Sequence, residues 1–217
     1  MMTNLFSVFD PCTGNLSLNW ISTMIFMIMI PYNFWILPNK IMLIYNKMMI
    51  NLFDEMKLTM NHKGTSILML SMFFFILFNN SMGLVPYIFT STSHLTFSLS
   101  MALPMWLSFF IYGWAKKTNT MFCHLVPSST PFMLMPFMVL IETVSNLIRP
   151  GSLSVRLTAN MITGHLLMSL LGGTSFSVFF MIIIMIMLMT LMIFELAVSF
   201  IQSYVFMTLT TLYSNEI

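Results

Sequence analysis

The chain has 217 residues, of which 58% are hydrophobic and only 6% charged, with a formal net charge of +2, against about 25% charged residues in an average soluble domain. This balance describes an integral membrane protein, and with no basic patch interleaved with exposed aromatics it excludes nucleic acid as a partner. Cys12 and Cys123 stand far apart without a CxxC spacing, so neither a metal site nor a disulfide framework is expected.

The first fifteen residues hold Asp10 but no Lys or Arg, which argues against a secretory signal and against an Arg-rich transit peptide. Leu16 to Leu37 form the first apolar run, with Trp20 at one end and Tyr32 and Trp35 at the other, as interfacial anchors are placed. It is expected to be a membrane helix that stops or kinks near Pro31 and Pro38. From Asn39 to Asn61, Lys40, Lys47, Asp54, Glu55 and Lys57 interrupt Ile41, Ile44, Met48 and Leu52 at spacings of mostly three or four. That pattern predicts an amphipathic helix lying in the membrane surface, with a solvated loop as the alternative.

Thr65 to Val85 reads as a second crossing, opened after Gly64 and closed near Pro86, whose Asn79 and Asn80 must find partners at the far interface. Phe97 to Ala115 reads as a third, followed at once by Lys116 and Lys117. With alternating crossings all six lysines fall on one side, while the 86 to 96 loop opposite carries no Lys or Arg. The positive-inside rule then places residues 39 to 64 and 116 to 130 inside and the N-terminus outside. Beyond HLVPSSTP (124 to 131), two apolar stretches of about 131 to 171 and 177 to 213 are too long for simple crossings. Forty residues of helix span roughly 60 Å, twice the hydrocarbon thickness, so tilt or breakage is required. Pro150 and Gly151 mark the expected kink, and Gly172, Gly173, Thr174 and Ser175 mark a reversal into an antiparallel hairpin. The fold class is therefore an all-α integral membrane protein of about five membrane-embedded helices plus one surface helix. Residues 1–217 form a single membrane domain, with 1–130 its N-terminal helices and 131–217 the hairpin.

The hairpin concentrates polar groups: Glu142, Arg149, Arg156, Asn160, His165, Glu195, Ser199 and Gln202. A guanidinium at mid-bilayer costs roughly 2.5 to 3.5 kcal/mol on insertion scales, so an ionisable residue there points to a functional site. Arginine stays protonated; it can attract, repel or block a proton, whereas His165 and Glu195 can carry one. At 100° per residue, Glu142, Arg149 and Arg156 fall within about 40° of one another, Asn160 shares their face, and His165 points the opposite way. Glu195, Ser199 and Gln202 share one face of the other helix. In an antiparallel hairpin facing residues have a constant index sum, and 156 with 202 and 165 with 195 satisfy nearly one register. The reversal it implies falls near residue 179 or 180, with a loop running past Ser177.

IETVSNLIRP (141 to 150), RLTANMITGH (156 to 165) and FELAVSFIQSYVF (194 to 206) resemble subunit a of the F-type ATP synthase in its mitochondrially encoded, insect-like form. The resemblance extends over the whole chain, including the opening NLFSVFDP (4 to 11) and the basic surface helix. It implies that Arg156 is the essential arginine beside the rotating ring of subunit c, separating two half-channels. It also implies that His165 and Glu195 line the half-channel open to the intermembrane space, that Glu142 lies near the matrix exit, and that Asn160 and Gln202 neighbour the arginine. Peripheral stalk and other membrane-sector subunits are the further partners implied, in the mitochondrial inner membrane, within a lipid bilayer and with protons as the transported species. Arg149 departs from many relatives, which carry an uncharged residue before the proline; it is expected to snorkel, cap or offset Glu142.

No nucleophile and base pair, phosphate loop or metal-ligand spacing is present, so no cofactor is expected and ATP chemistry belongs to partner chains. The competing functions are a proton-coupled transporter, which would ordinarily show a repeated half, and a non-conducting structural subunit of a respiratory complex, which would not need Arg156. A haem subunit needs paired axial histidines, and His62, His94, His124 and His165 are scattered. His94 and His124 read as solvated loop residues.

Overall fold

The computed structural model describes residues 4–14, 16–32, 35–59, 64–126, 130–173 and 178–215, and among them every regular element is helical. The seven α-helices are α1 (Phe26–Met29), α2 (Lys40–Thr59), α3 (Thr65–Gly83), α4 (Leu95–Lys116), α5 (Thr118–Leu125), α6 (Met135–Gly173) and α7 (Val178–Asn215). Four of them, α3, α4, α6 and α7, are long and apolar enough to cross a membrane, and Leu18–Ile28 forms a shorter apolar helix. The chain is a multi-pass membrane protein.

The first apolar run is shorter than its hydrophobicity suggests. A 3₁₀ helix over Leu18–Met24 passes into the single turn of α1 and ends at Ile30, whose backbone is already extended before Pro31. Two hydroxyls account for part of this: Thr23 Oγ1 donates to the Trp20 carbonyl, and Ser22 Oγ donates to the Phe89 carbonyl across to another segment. Such side-chain bonds compete with the α-helical ladder. At 1.5 to 2 Å per residue the segment reaches about 20 Å, short of a bilayer's roughly 30 Å core.

The surface helix forms as α2. Tyr45, Met49, Leu52, Phe53 and buried Met56 pack against Met69, Leu70, Phe73, Phe74 and Leu77 of α3, while Ile41, Ile44 and Met48 remain exposed beside them. Asn61, His62 and Lys63 lie outside the described residues. A second apolar cluster of Ile76, Ala102, Leu153, Leu157 and Phe206 joins α3, α4, α6 and α7. Small side chains sit between these helices, with Ser98, Ala102, Ser154 and Ser203 all buried. In lipid, helices gain little from hydrophobic contact with one another, so close backbone approach at small residues supplies the packing.

α6 runs 39 residues without a break through Pro150 and Gly151, and α7 runs 38. Spans of roughly 58 and 57 Å leave tilt to absorb the excess length. α6 ends at Gly173 and α7 begins at Val178, so the chain reverses before residues 179 and 180; Thr174, Ser175 and Ser177 lie outside the described residues. An index sum locates facing pairs along the helices and does not locate the connection. Within α3, Asn79 Nδ2 donates to its own helix at the Phe75 carbonyl, not to an interfacial partner. That choice satisfies one buried amide locally, as a medium without water demands.

Two ends of the bundle are distinct. At one, the N-terminal segment, the 84–94 connection and the later part of α6 meet: Phe9 lies edge-on to His165, and Trp20 contacts Phe89 and His94. At the other, Asn215 donates to the Thr59 carbonyl, tying α7 to α2, and α5 folds back through Phe122 onto Trp114 of α4. Replacing fully buried Ser154 by Leu is expected to overpack this bundle by about 1–3 kcal/mol. The check is a reduced yield of assembled complex on native gels.

Candidate functional site

The long α6 is what brings the polar residues into one arrangement. Its buried face, Pro150, Leu153, Ser154, Leu157, Thr158, Met161 and Gly164, turns toward the bundle. Arg156 lies on the outward face, exposed, and makes no ion pair or hydrogen bond among the described residues. An unpaired cation on the outside of a membrane helix is costly in hydrocarbon, roughly 2.5 to 3.5 kcal/mol on insertion scales, which marks this position as a candidate functional site.

On either side of Arg156 the polar groups divide. Toward the start of α6, fourteen residues or about 21 Å away, Glu142 pairs with Arg149 at 3.7 Å. The Arg149 guanidinium also lies 5.0 Å from the ring centre of Tyr213, near the end of α7. A cavity of about 460 Å³ opens beside them, with Trp106, Trp114, His124, Glu142, Arg149 and Tyr213 among its walls. His124, expected as a solvated loop residue, is in fact on α5 at this cavity.

Toward the end of α6, nine residues or about 13.5 Å from Arg156, His165 is half-buried. It hydrogen-bonds to the backbone of Gly83 and meets the edge of Phe9 at 6.2 Å between ring centres. Its Nε2 is buried without a hydrogen-bond partner among the described residues. Glu195 is buried, with its carboxylate pressed against Gly164: a Cβ there would lie 2.5 Å from Glu195 Oε2. Gly164 therefore works as a close-approach glycine, and the GH dipeptide places it beside His165. Ser199, buried one turn along, donates to its own helix at Leu196.

Gln202 is buried and accepts a hydrogen bond from Asn160 Nδ2 at 3.2 Å, while its Nε2 has no partner among the described residues. The expected facing pairs were 156 with 202 and 165 with 195. Gln202 instead meets Asn160, one turn beyond Arg156, and Glu195 meets Gly164, the neighbour of His165. The shift follows from side-chain reach: Arg156 points out of the seam, so the amide of Gln202 takes the nearest polar group within it. Arg149 with Tyr213 and Asn160 with Gln202 share one index sum, 362, so one register joins these two contacts, while Gly164 with Glu195, at 359, departs from it. Gly164, Phe9 and Tyr213 were not singled out from sequence. Extending the hairpin register from Arg149 would have found Tyr213, whereas Phe9 lies too far away in the chain for any periodicity to place it. Among the described residues no group of three or more His, Cys, Asp or Glu side chains could hold a metal ion.

A family model described as ATP synthase A chain matches residues 3–215. ATP synthase subunit a of Anopheles quadrimaculatus and that of Locusta migratoria are each 55% identical to this chain, and that of Drosophila simulans is 54% identical, with the full length of both chains covered in each case. The chain belongs to the ATP synthase A chain family, beside the subunit a chains of insects.

Proposed function

We propose that the chain is the proton-translocating stator subunit of the F-type ATP synthase membrane sector. It forms two offset half-channels against the subunit c ring, so that proton flow drives rotation and ATP synthesis. The observation that carries this is Arg156: exposed, unpaired among the described residues, and set between two separated polar groups on one unbroken helix. A structural membrane subunit has no need of such a charge.

Protons entering from the intermembrane space pass Glu195 and His165, which the close contact at Gly164 brings to neighbouring positions. They neutralise a ring carboxylate, which can then face lipid. After rotation the field of Arg156 favours the ionised form of that ring carboxylate, as an opposite charge does, and the proton leaves past Glu142. Asn160 and Gln202 hold the seam behind Arg156 and present the buried Gln202 amide nitrogen toward the same region. Arg156 also blocks a direct leak between the two paths. Each charge crossing contributes about 2.3 kcal/mol per 100 mV, and a leak would dissipate it. On this reading the chain acts as one membrane domain in the mitochondrial inner membrane with its N-terminus on the intermembrane-space side. Its partners are the ring, the peripheral stalk and the other membrane-sector subunits.

Arg156→Ala in the assembled complex is expected to lower proton-driven ATP synthesis by about a hundredfold or more and to raise passive proton leak in sealed vesicles. Arg149→Ala is expected to cost about tenfold or less, since its ion pair is partly exposed. Survival of synthesis without Arg156 in an intact complex would leave the structural-subunit function in its place. Gly164→Ala supplies an independent check of the entry path. The far end of the Glu195 side chain can shift to make room, so the complex should assemble, with synthesis lowered on the order of tenfold or more by misplacement of the carboxylate. Wild-type rates in that variant would remove Glu195 from the path.

A further inference from the structure

Arg149 sits at a junction of two helices. On α6 its guanidinium lies 3.7 Å from Glu142, seven residues earlier on the same face, and from α7 the Tyr213 ring comes within 5.0 Å of its centre. The Arg149 and Glu142 side chains are 26% and 39% exposed, so the pair is neither sealed in the core nor free in solvent. Both line the cavity of about 460 Å³ that α4, α5, α6 and α7 enclose, together with His124, Asn146 and Trp114. Trp114 contributes a buried indole N–H without a hydrogen-bond partner among the described residues. Pro150, next in sequence to Arg149, has no N–H to offer the Asn146 carbonyl. Polar groups from α4, α5 and α6 therefore line a chamber whose remaining walls are aromatic and aliphatic.

We propose that Arg149 is a positioning residue for proton exit: seated on the face of Tyr213, it holds the Glu142 carboxylate at the wall of this chamber, where a departing proton would be received. The proposal rests on the assignment of Glu142 to the exit path. A flexible glutamate on an exposed turn samples several rotamers. A planar guanidinium with a fixed fork of donors selects one of them, and an aromatic face under that guanidinium fixes the fork in turn. The shared register places the same seam distance, eleven residues on each helix, between this junction and the Asn160–Gln202 hydrogen bond.

The test is a double-mutant cycle in the assembled ATP synthase, in sealed inner-membrane vesicles, reading ATP synthesis per assembled complex. Glu142→Gln is expected to lower the rate about tenfold or more, and Arg149→Gln about three- to tenfold. The Glu142→Gln, Arg149→Gln double variant should be no slower than Glu142→Gln alone, within about twofold, because Arg149 acts through Glu142. Arg149→Lys keeps the charge without the planar stack and should fall between wild type and Arg149→Gln. Tyr213→Leu should lose more than Tyr213→Phe, which retains the ring. Losses that multiply in the double variant, or a wild-type rate in Arg149→Gln, would overturn the positioning role. A wild-type rate in Glu142→Gln would instead remove the exit assignment itself. Should Arg149→Gln fail to assemble, Arg149→Lys and Tyr213→Leu decide: wild-type rates in both would overturn the proposal.

Discussion

A positive charge on the exposed face of a long membrane helix is the constraint around which this molecule is organised. Arg156 is exposed and has no counter-ion among the described residues. The two other charged groups of α6 are treated differently: Glu142 and Arg149 neutralise one another seven residues apart. The helix thus uses its internal pairing on Glu142 and leaves Arg156 open. Arg149 is thus tied to both α6 and α7, whereas Arg156 has no counter-charge among the described residues.

Holding Arg156 in place falls to the seam behind it. α6 and α7 meet along a line where Arg149 faces Tyr213, Asn160 faces Gln202, and Gly164 faces Glu195. Each contact accommodates a polar group at the helix–helix seam by a different means: an aromatic face, an amide pair, and a missing side chain that lets a carboxylate approach the backbone. Between them lie Ser154, Ser203 and Phe206, all buried, which let the helices close up. In a medium where apolar contact between helices gains little over contact with lipid, these specific fits set the register. The Nε2 atoms of His165 and Gln202, without a hydrogen-bond partner among the described residues, are exceptions to the usual accounting of buried polar groups, and both lie beside the proposed path.

Departures from local expectation have physical causes that no window of sequence contains. The run from Leu16 to Leu37 is apolar enough to cross a membrane, yet it becomes a short 3₁₀ and α segment. Ser22 is drawn to the Phe89 carbonyl, and Pro31 closes the run. Pro150 and Gly151, by contrast, look like a break and are carried within a continuous helix, with Pro150 buried.

The sequence by itself determined the class of molecule, the two crossings that form α3 and α4, the surface helix and the two extended hairpin helices, because length, hydropathy and lysine placement are local properties; it also expected a further crossing over 16 to 37, which forms only a short helical segment. It also singled out Arg156, Glu142, His165 and Glu195, because a charge or a proton carrier in so apolar a chain is visible without a fold. Only the tertiary structure decided which of two nearby arginines is paired, since Arg149 and Arg156 have similar positions on the helical wheel and differ in what the packed helices place beside them. It alone set Phe9 against His165, Tyr213 against Arg149 and Glu195 against Gly164. Contacts between distant segments depend on tilt, register and close approach, quantities fixed by packing in three dimensions and not by the period of a pattern.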